Sequence, residues 1–456
     1  MLDFTNGKPW KLVLQFSVPM LIGNVLMQFY NVADTYVVGN FLGTKALAAV
    51  GASGPVVFAL VSFIIGIANG CTIIIAQYFG AKNLNKVQNA IDTVIIFVLV
   101  AAFLITLIGL LLCEPLLRLV NTPADVMDGA RTFYYVTMVG VIPLFGVNVL
   151  SSVLQGTGNS KTPLYYLIFS SVLNILLLLL FVPVLHYGIA GAAWATVLAE
   201  TVTVIVMIVW LNSRHPFIHI TFRPRHFDFE IFRKSLRIGL PNGIQHALIA
   251  VGMMALLRIV NTFNSDVLAA YSIAGRIESL ASAPAMTFSA AIAAFVGQNV
   301  GAHKFDRVSE GLKATLSISI LVSAAISLLV VVFRYTVMGW FTTGGEVNVI
   351  EVGSRYLLII APFYAVFSTL FVFNGVMRGA GDTLFPMFTT LLSLWLIRIP
   401  FASVMSKYIG TDGIWWAIPI GWCLGSACAM GYYRLGRWKN KGVVKPSEII
   451  VNNEII

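Results

Sequence analysis

The stretch Leu12 to Phe41, LVLQFSVPMLIGNVLMQFYNVADTYVVGNF, decides the fold class. It is long enough to cross a bilayer, because about 20 apolar residues rising 1.5 Å each span the hydrocarbon core. Asp34 stands inside it. A carboxylate at that depth is costly unless it is neutral, paired or open to a wet cavity. Pro19 stands near the start of the same helix, where it removes a backbone hydrogen bond and supplies a hinge. An acid and a hinge in one spanning helix point to a machine driven by protons or cations, as against an acid merely bonded to neighbouring amides.

Composition extends that reading to the whole chain. Of its 456 residues 58% are hydrophobic and only 11% charged, with a mean hydropathy of +0.87. A soluble protein carries about 25% charged residues. The chain is therefore an all-α, polytopic membrane protein embedded in a lipid bilayer. The first helix is too long for a signal-peptide core and no small-residue cleavage site follows it. The four cysteines lie in or at the ends of apolar helices without metal-ligand spacing and read as packing residues.

Apolar segments recur twelve times, near 12–41, 46–79, 88–113, 130–155, 162–184, 188–211, 231–263, 267–299, 308–333, 350–377, 384–407 and 412–435. The extended polar connection 212–230 divides them six and six. This predicts an N-lobe over 1–211, a cytoplasmic linker over 212–230, a C-lobe over 231–437 and a cytoplasmic tail over 438–456. With the N-terminus inside, Lys and Arg favour the cytoplasmic segments by roughly three to one, which places both termini in the cytoplasm. The net charge of +10 thus reflects topology and gives no reason to expect nucleic acid.

The halves resemble each other at an offset of 221 to 223 residues. Pro19 pairs with Pro241, Leu47 with Leu268, Gln77 with Gln298, Gly158 with Gly381, and Gly188 with Gly410. Two six-helix units enter with the same topology, related by a pseudo-two-fold axis along the membrane normal, and such repeats frame transport sites. The GxxxG pairs Gly66/Gly70, Gly297/Gly301 and Gly421/Gly425 support close helix packing.

At the paired loops the sequence becomes recognisable. The stretches AQYFGAKN (76–83), LQGTGNSKTP (154–163), GQNVGAHK (297–304) and MRGAGDTLFP (377–386) resemble the multidrug and toxic compound extrusion (MATE) family, as do VADTYVVG (32–39) and GIAGAAWAT (188–196). The resemblance covers nearly the whole chain. It implies two six-helix lobes that export organic cations against a proton or sodium gradient, working as a monomer with no cofactor beyond the transported H+ or Na+. It also implies a cation-coupling set of Asp34, Asn174 and Thr196, with Pro19 as hinge. Two departures bear on the ion. Leu178 stands where some members have a second acid, and Ile249 where sodium-binding members have a C-lobe glutamate. A lone acid suffices for a proton and makes a thin sodium cage, so the resemblance favours protons.

Other polar residues remain as alternatives. Gln28, Tyr30 and Asn31 precede Asp34 within about two turns and either line the N-lobe cavity or bond across helices; Glu200 follows Thr196 by one turn and either joins the cation site or pairs with a basic residue; His246 is the polar residue nearest Ile249 and a candidate for lining a cavity. Arg258, Arg276, Glu278 and Arg398 read as a structural ion-pair cluster or as a cationic cavity surface that would repel cationic drugs. His215, His219 and His226 lack an accompanying ligand set, so no metal is expected. Two further functions compete with export. A lipid-linked oligosaccharide flippase of the wider superfamily is compatible with the C-lobe arginines but not with the loop motifs. An enzyme is not supported, since no HExxH, paired catalytic acids or nucleophile elbow occurs.

Overall fold

A computed structural model describes residues 1–120, 122–214, 218–220, 227–342, 346–444 and 448. Among these residues the chain is helical, with twelve spanning helices and no strand. Helices α1 (9–42) and α2 (44–80) run almost end to end and are separated by Gly43, at φ 81° and ψ −179°. That conformation is open essentially only to glycine, so the break is written into the residue type. The rest are α3 Leu84–Leu119, α4 Met127–Gly156, α5 Lys161–Val184, α6 Gly188–Arg214, α7 Phe229–Val260, α8 Ser265–Gly301, α9 Phe305–Gly339, α10 Val347–Gly379, α11 Leu384–Ile409 and α12 Thr411–Arg434. The twelve spans expected from hydropathy are all present, with ends displaced by a few residues. Cys71 and Cys113 pack in the interior, but Cys423 is exposed on α12.

Backbone geometry repeats as the sequence does. The turns after α2 and α8 place Lys82 and His303 at φ 57° and 55°. Gly158 and Gly381 sit at φ 82° and 92° after α4 and α10, and Gly188 and Gly410 at φ 59° and 62° before α6 and α12. Each pair is separated by the offset that relates the two halves of the sequence. The capping bonds repeat too: Asn83 N–H donates to the Tyr78 carbonyl at 3.1 Å, and Lys304 N–H to that of Asn299 at 2.8 Å.

The chain forms two compact units whose membership does not follow chain order. Among the described residues, one contains 1–2, those from 18 to 243, and 448; the other contains 3–17 and those from 244 to 444. Helix α1 thus begins in the second unit and continues in the first, and α7 does the reverse. Pro19 and Pro241 each lie within two residues of the crossing. In the second unit, Gln298, Asn299, Lys304 and Arg307 clasp the backbone of residues 4–7: Phe4 N–H donates to Gln298 Oε1 at 2.9 Å, and Asn299, Lys304 and Arg307 donate to the carbonyls of Phe4, Thr5 and Gly7. In the first unit, Lys234 Nζ donates to the Tyr78 hydroxyl at 3.1 Å. Gly239 and Gly243 of α7 there meet Gly70 and Gly66 of α2 so closely that a Cβ on Gly66 would stand 2.2 Å from Gly243 N. Small residues at this spacing let membrane helices approach backbone to backbone. The loop motifs that carry the family resemblance therefore also hold the start of the opposite repeat's first helix.

Candidate functional site

The N-lobe cavity, of about 290 Å³, opens among α1, α4, α5 and α6. Pro19, Asn24 and Tyr30 of α1 reach its wall, with Asn148, Ser151, Ser170 and Ser171 from the neighbouring helices. Asn174 and Thr196 meet there, the Asn174 side-chain amide donating to the Thr196 hydroxyl at 2.9 Å. Glu200, one turn beyond Thr196 on α6, lines the same cavity. The Tyr30 hydroxyl lies in hydrogen-bond reach of Thr196 and in the electrostatic range of both Asp34 and Glu200. Pro19, Asn174, Thr196 and Glu200 are thus brought to one cavity, and Tyr30 links it to Asp34.

Asp34 stands beside the cavity and not on its wall. One turn on, Val37 and Val38 pack against Leu178, Val182, Ala192 and Ala195, which fixes the azimuth of α1. Asp34 makes no hydrogen bond or ion pair with a described residue, and its Oδ1 is buried without a donor. Asn174 Oδ1 is likewise buried and unpartnered. Two unfilled acceptors within one lobe are what a proton or a small cation would satisfy, since a buried acceptor left alone costs about 1–3 kcal/mol. Gln28 and Asn31 are exposed on α1, on the stripe next to the one that carries Asp34. Of the three helix-1 residues named with Asp34 from the sequence, Tyr30, one turn before it on the same helix face, is the one on the cavity wall.

The C-lobe has a smaller cavity, of about 120 Å³, among α7, α10, α11 and α12. Gln245 lines it, while His246, its neighbour, is half-buried and lies near Arg378. Ile249 presents an apolar side chain there, and Met253 another. Gln245 donates to Thr390 Oγ1 at 2.8 Å and Thr389 donates to Asn374 Oδ1 at 3.2 Å. Arg398 reaches this cavity from α11. The ion-pair cluster considered for Arg258, Arg276, Glu278 and Arg398 does not form among the described residues: Arg258 and Arg276 are exposed, and Glu278 accepts the Tyr356 hydroxyl. No group of three or more His, Cys, Asp or Glu among the described residues is placed to hold a metal. His215 and His226 lie outside the described residues; the backbone of His219 is tied to Gln88 on both sides, at 3.0 and 2.8 Å.

Comparison with known proteins fits these two halves. The MatE family profile matches twice, over residues 19–180 and 241–404, once in each repeat. The probable multidrug resistance protein YpnP of Bacillus subtilis (strain 168) is 33% identical over 437 residues, covering 96% of this chain and 97% of its own. The probable multidrug resistance protein YoeA of the same organism is 30% identical over 455 residues, at 96% and 97% coverage. A crystal structure of MATE in the straight conformation superposes with a TM-score of 0.89 at 25% identity, covering 96% of this chain and 98% of that one.

Proposed function

The chain belongs to the MatE family of membrane transporters, and from that premise we propose that it exports organic cations and drugs in exchange for inward-moving protons, with Asp34 as the coupling residue. The observation that carries this reading is the half-buried carboxyl of Asp34, its Oδ1 without a partner, beside a polar cavity lined by Asn174, Thr196 and Glu200. Protonated, Asp34 is neutral and tolerates burial; ionised, it favours an open, wet cavity that attracts a cation. Proton and drug then compete through one carboxyl, and each expels the other. Pro19 gives α1 a point at which to bend as the cavity empties. The two relatives' names, both probable multidrug resistance proteins, support small-molecule export. The basic cytoplasmic loops support a topology with both termini inside.

Efflux of a cationic dye from cells tests this. Export should stop with a protonophore and continue without sodium. Export that survives the protonophore and stops without sodium would reassign the ion, and no export under either condition would remove the multidrug reading.

A further inference from the structure

We infer that the C-lobe cavity binds the anionic group of an aromatic small molecule, with the Arg398 guanidinium as its counter-charge. Arg398 is only 8% exposed and lines the cavity with Asn374, Gln245 and Trp422. It makes no hydrogen bond and no ion pair with a described residue, and its Nε is buried without an acceptor. A guanidinium keeps its charge where a buried lysine would discharge. An uncompensated buried charge is among the costliest features a fold can carry. Within electrostatic range are the phenols of Tyr271 and Tyr356, and Glu278 shares those neighbours but accepts from Tyr356. None of these groups bonds to Arg398, so its hydrogen-bonding capacity stays open to a ligand in the cavity.

The walls specify what carries that charge. Asn374 has its Oδ1 occupied by Thr389, which leaves its NH2 as a second donor beside the guanidinium. Phe367, Phe371 and Trp422 form one face, with ring centroids 4.3 Å apart for the first two and 4.8 Å apart for Phe367 and Trp422. A guanidinium and an amide facing aromatic rings suit a carboxylate or phosphate attached to a flat ring.

The backbone is shaped to the same end. From Leu391 to Arg398, α11 is π-helical, a wide turn that brings Ser393, Leu394 and Arg398 to the cavity. Such turns are rare and gather at functional sites. Gly421 lets α12 close against this turn, and Ser393 Oγ donates to the Gly421 carbonyl at 2.7 Å. The N-lobe cavity is lined by the Glu200 carboxyl with Asp34 beside it, so cations and anions have separate places in the two lobes. The inference names a substrate chemistry and rests on the transporter reading only for how the ligand enters and leaves.

Equilibrium binding tests it without any ion gradient. The full chain in neutral phosphatidylcholine nanodiscs is titrated calorimetrically with 2-naphthoate and with uncharged 2-naphthamide. Naphthoate should bind about tenfold tighter or better, the advantage of a charge-assisted pair. Arg398→Gln should reduce naphthoate to the naphthamide level and leave naphthamide unchanged, and Arg398→Lys should keep part of the advantage. Equal affinities in the unaltered protein would overturn the proposal even if Arg398→Gln does not fold, and so would an advantage that survives Arg398→Gln. Failure to bind naphthoate in neutral discs, with an Arg398-dependent thermal shift from phosphatidylglycerol alone, would give the cavity to a lipid headgroup and overturn the small-molecule assignment. Dye efflux that persists through any of these results keeps the transport reading separate.

Discussion

Asn174 on α5 and Thr196 on α6 are joined side chain to side chain at 2.9 Å, at the wall of the N-lobe cavity. The Tyr30 hydroxyl of α1 reaches the same threonine. Thr196 therefore joins α5 to α6 where α1 brings its tyrosine close. Thr196→Val keeps the shape and removes the hydroxyl, stranding the Asn174 amide at a cost of about 1–3 kcal/mol. Thermal unfolding should show a lower midpoint, and dye export should fall; Thr196→Ser should restore both.

Asp34→Asn preserves volume and removes ionisation. Dye efflux should be abolished while the amount of protein in the membrane stays the same, measured by immunoblot beside accumulation assays. Normal export by this variant would take the coupling role away from Asp34.

Glu200 supplies the cavity with a carboxyl from α6 where Leu178 of α5, fully buried among apolar side chains, offers none. Glu200→Gln should weaken binding of a cationic dye severalfold and leave uncharged ligands unaffected. A dye titration on the purified variant measures this, and unchanged cationic affinity would place Glu200 outside the site.

The contact of Gly66 with Gly243 admits no side chain, since a Cβ would lie 2.2 Å from a backbone nitrogen. Gly66→Ala should destabilise by at least the roughly 1–3 kcal/mol of ordinary overpacking, read as a lower thermal unfolding midpoint. Gly51→Ala, with nothing within 4 Å of the added Cβ, is the control and should hold or raise the midpoint.

Asp228 precedes α7 outside the spanning segment. Burial pushes its carboxyl up, but the N–H groups of Ile231 and Glu230 and the Lys86 ammonium at 3.1 Å outweigh burial and hold it below the ordinary aspartate range. A depressed acid contributes stability at pH above its unfolded value and loses it as pH falls through the folded one. Asp228→Asn should therefore lower the unfolding midpoint at neutral pH, and the difference should close as pH falls below about 4. A difference independent of pH would show that the effect is not electrostatic.

The spans, their number and the repeat were legible in the sequence because hydropathy and length act locally and add along the chain. The offset between halves survives as matched backbone conformations at Lys82 and His303, Gly158 and Gly381, and Gly188 and Gly410. Asn174 and Thr196 are 22 residues apart and meet as their resemblance to the family implied. Helical spacing from Thr196 singled out Glu200, but Gln28 and Asn31, equally close to Asp34 along the chain, are exposed.

The sequence by itself determined that this chain crosses a membrane in two like sets of six helices, because each span buries its own backbone hydrogen bonds and needs no neighbour to be recognised. Only the tertiary structure decided which unit takes residues 3–17, and that Arg398 lines a cavity without an ion pair to any described residue. The worth of a charge depends on what stands opposite it. That is set by the faces of helices far apart in the chain, and no local pattern of residues records it.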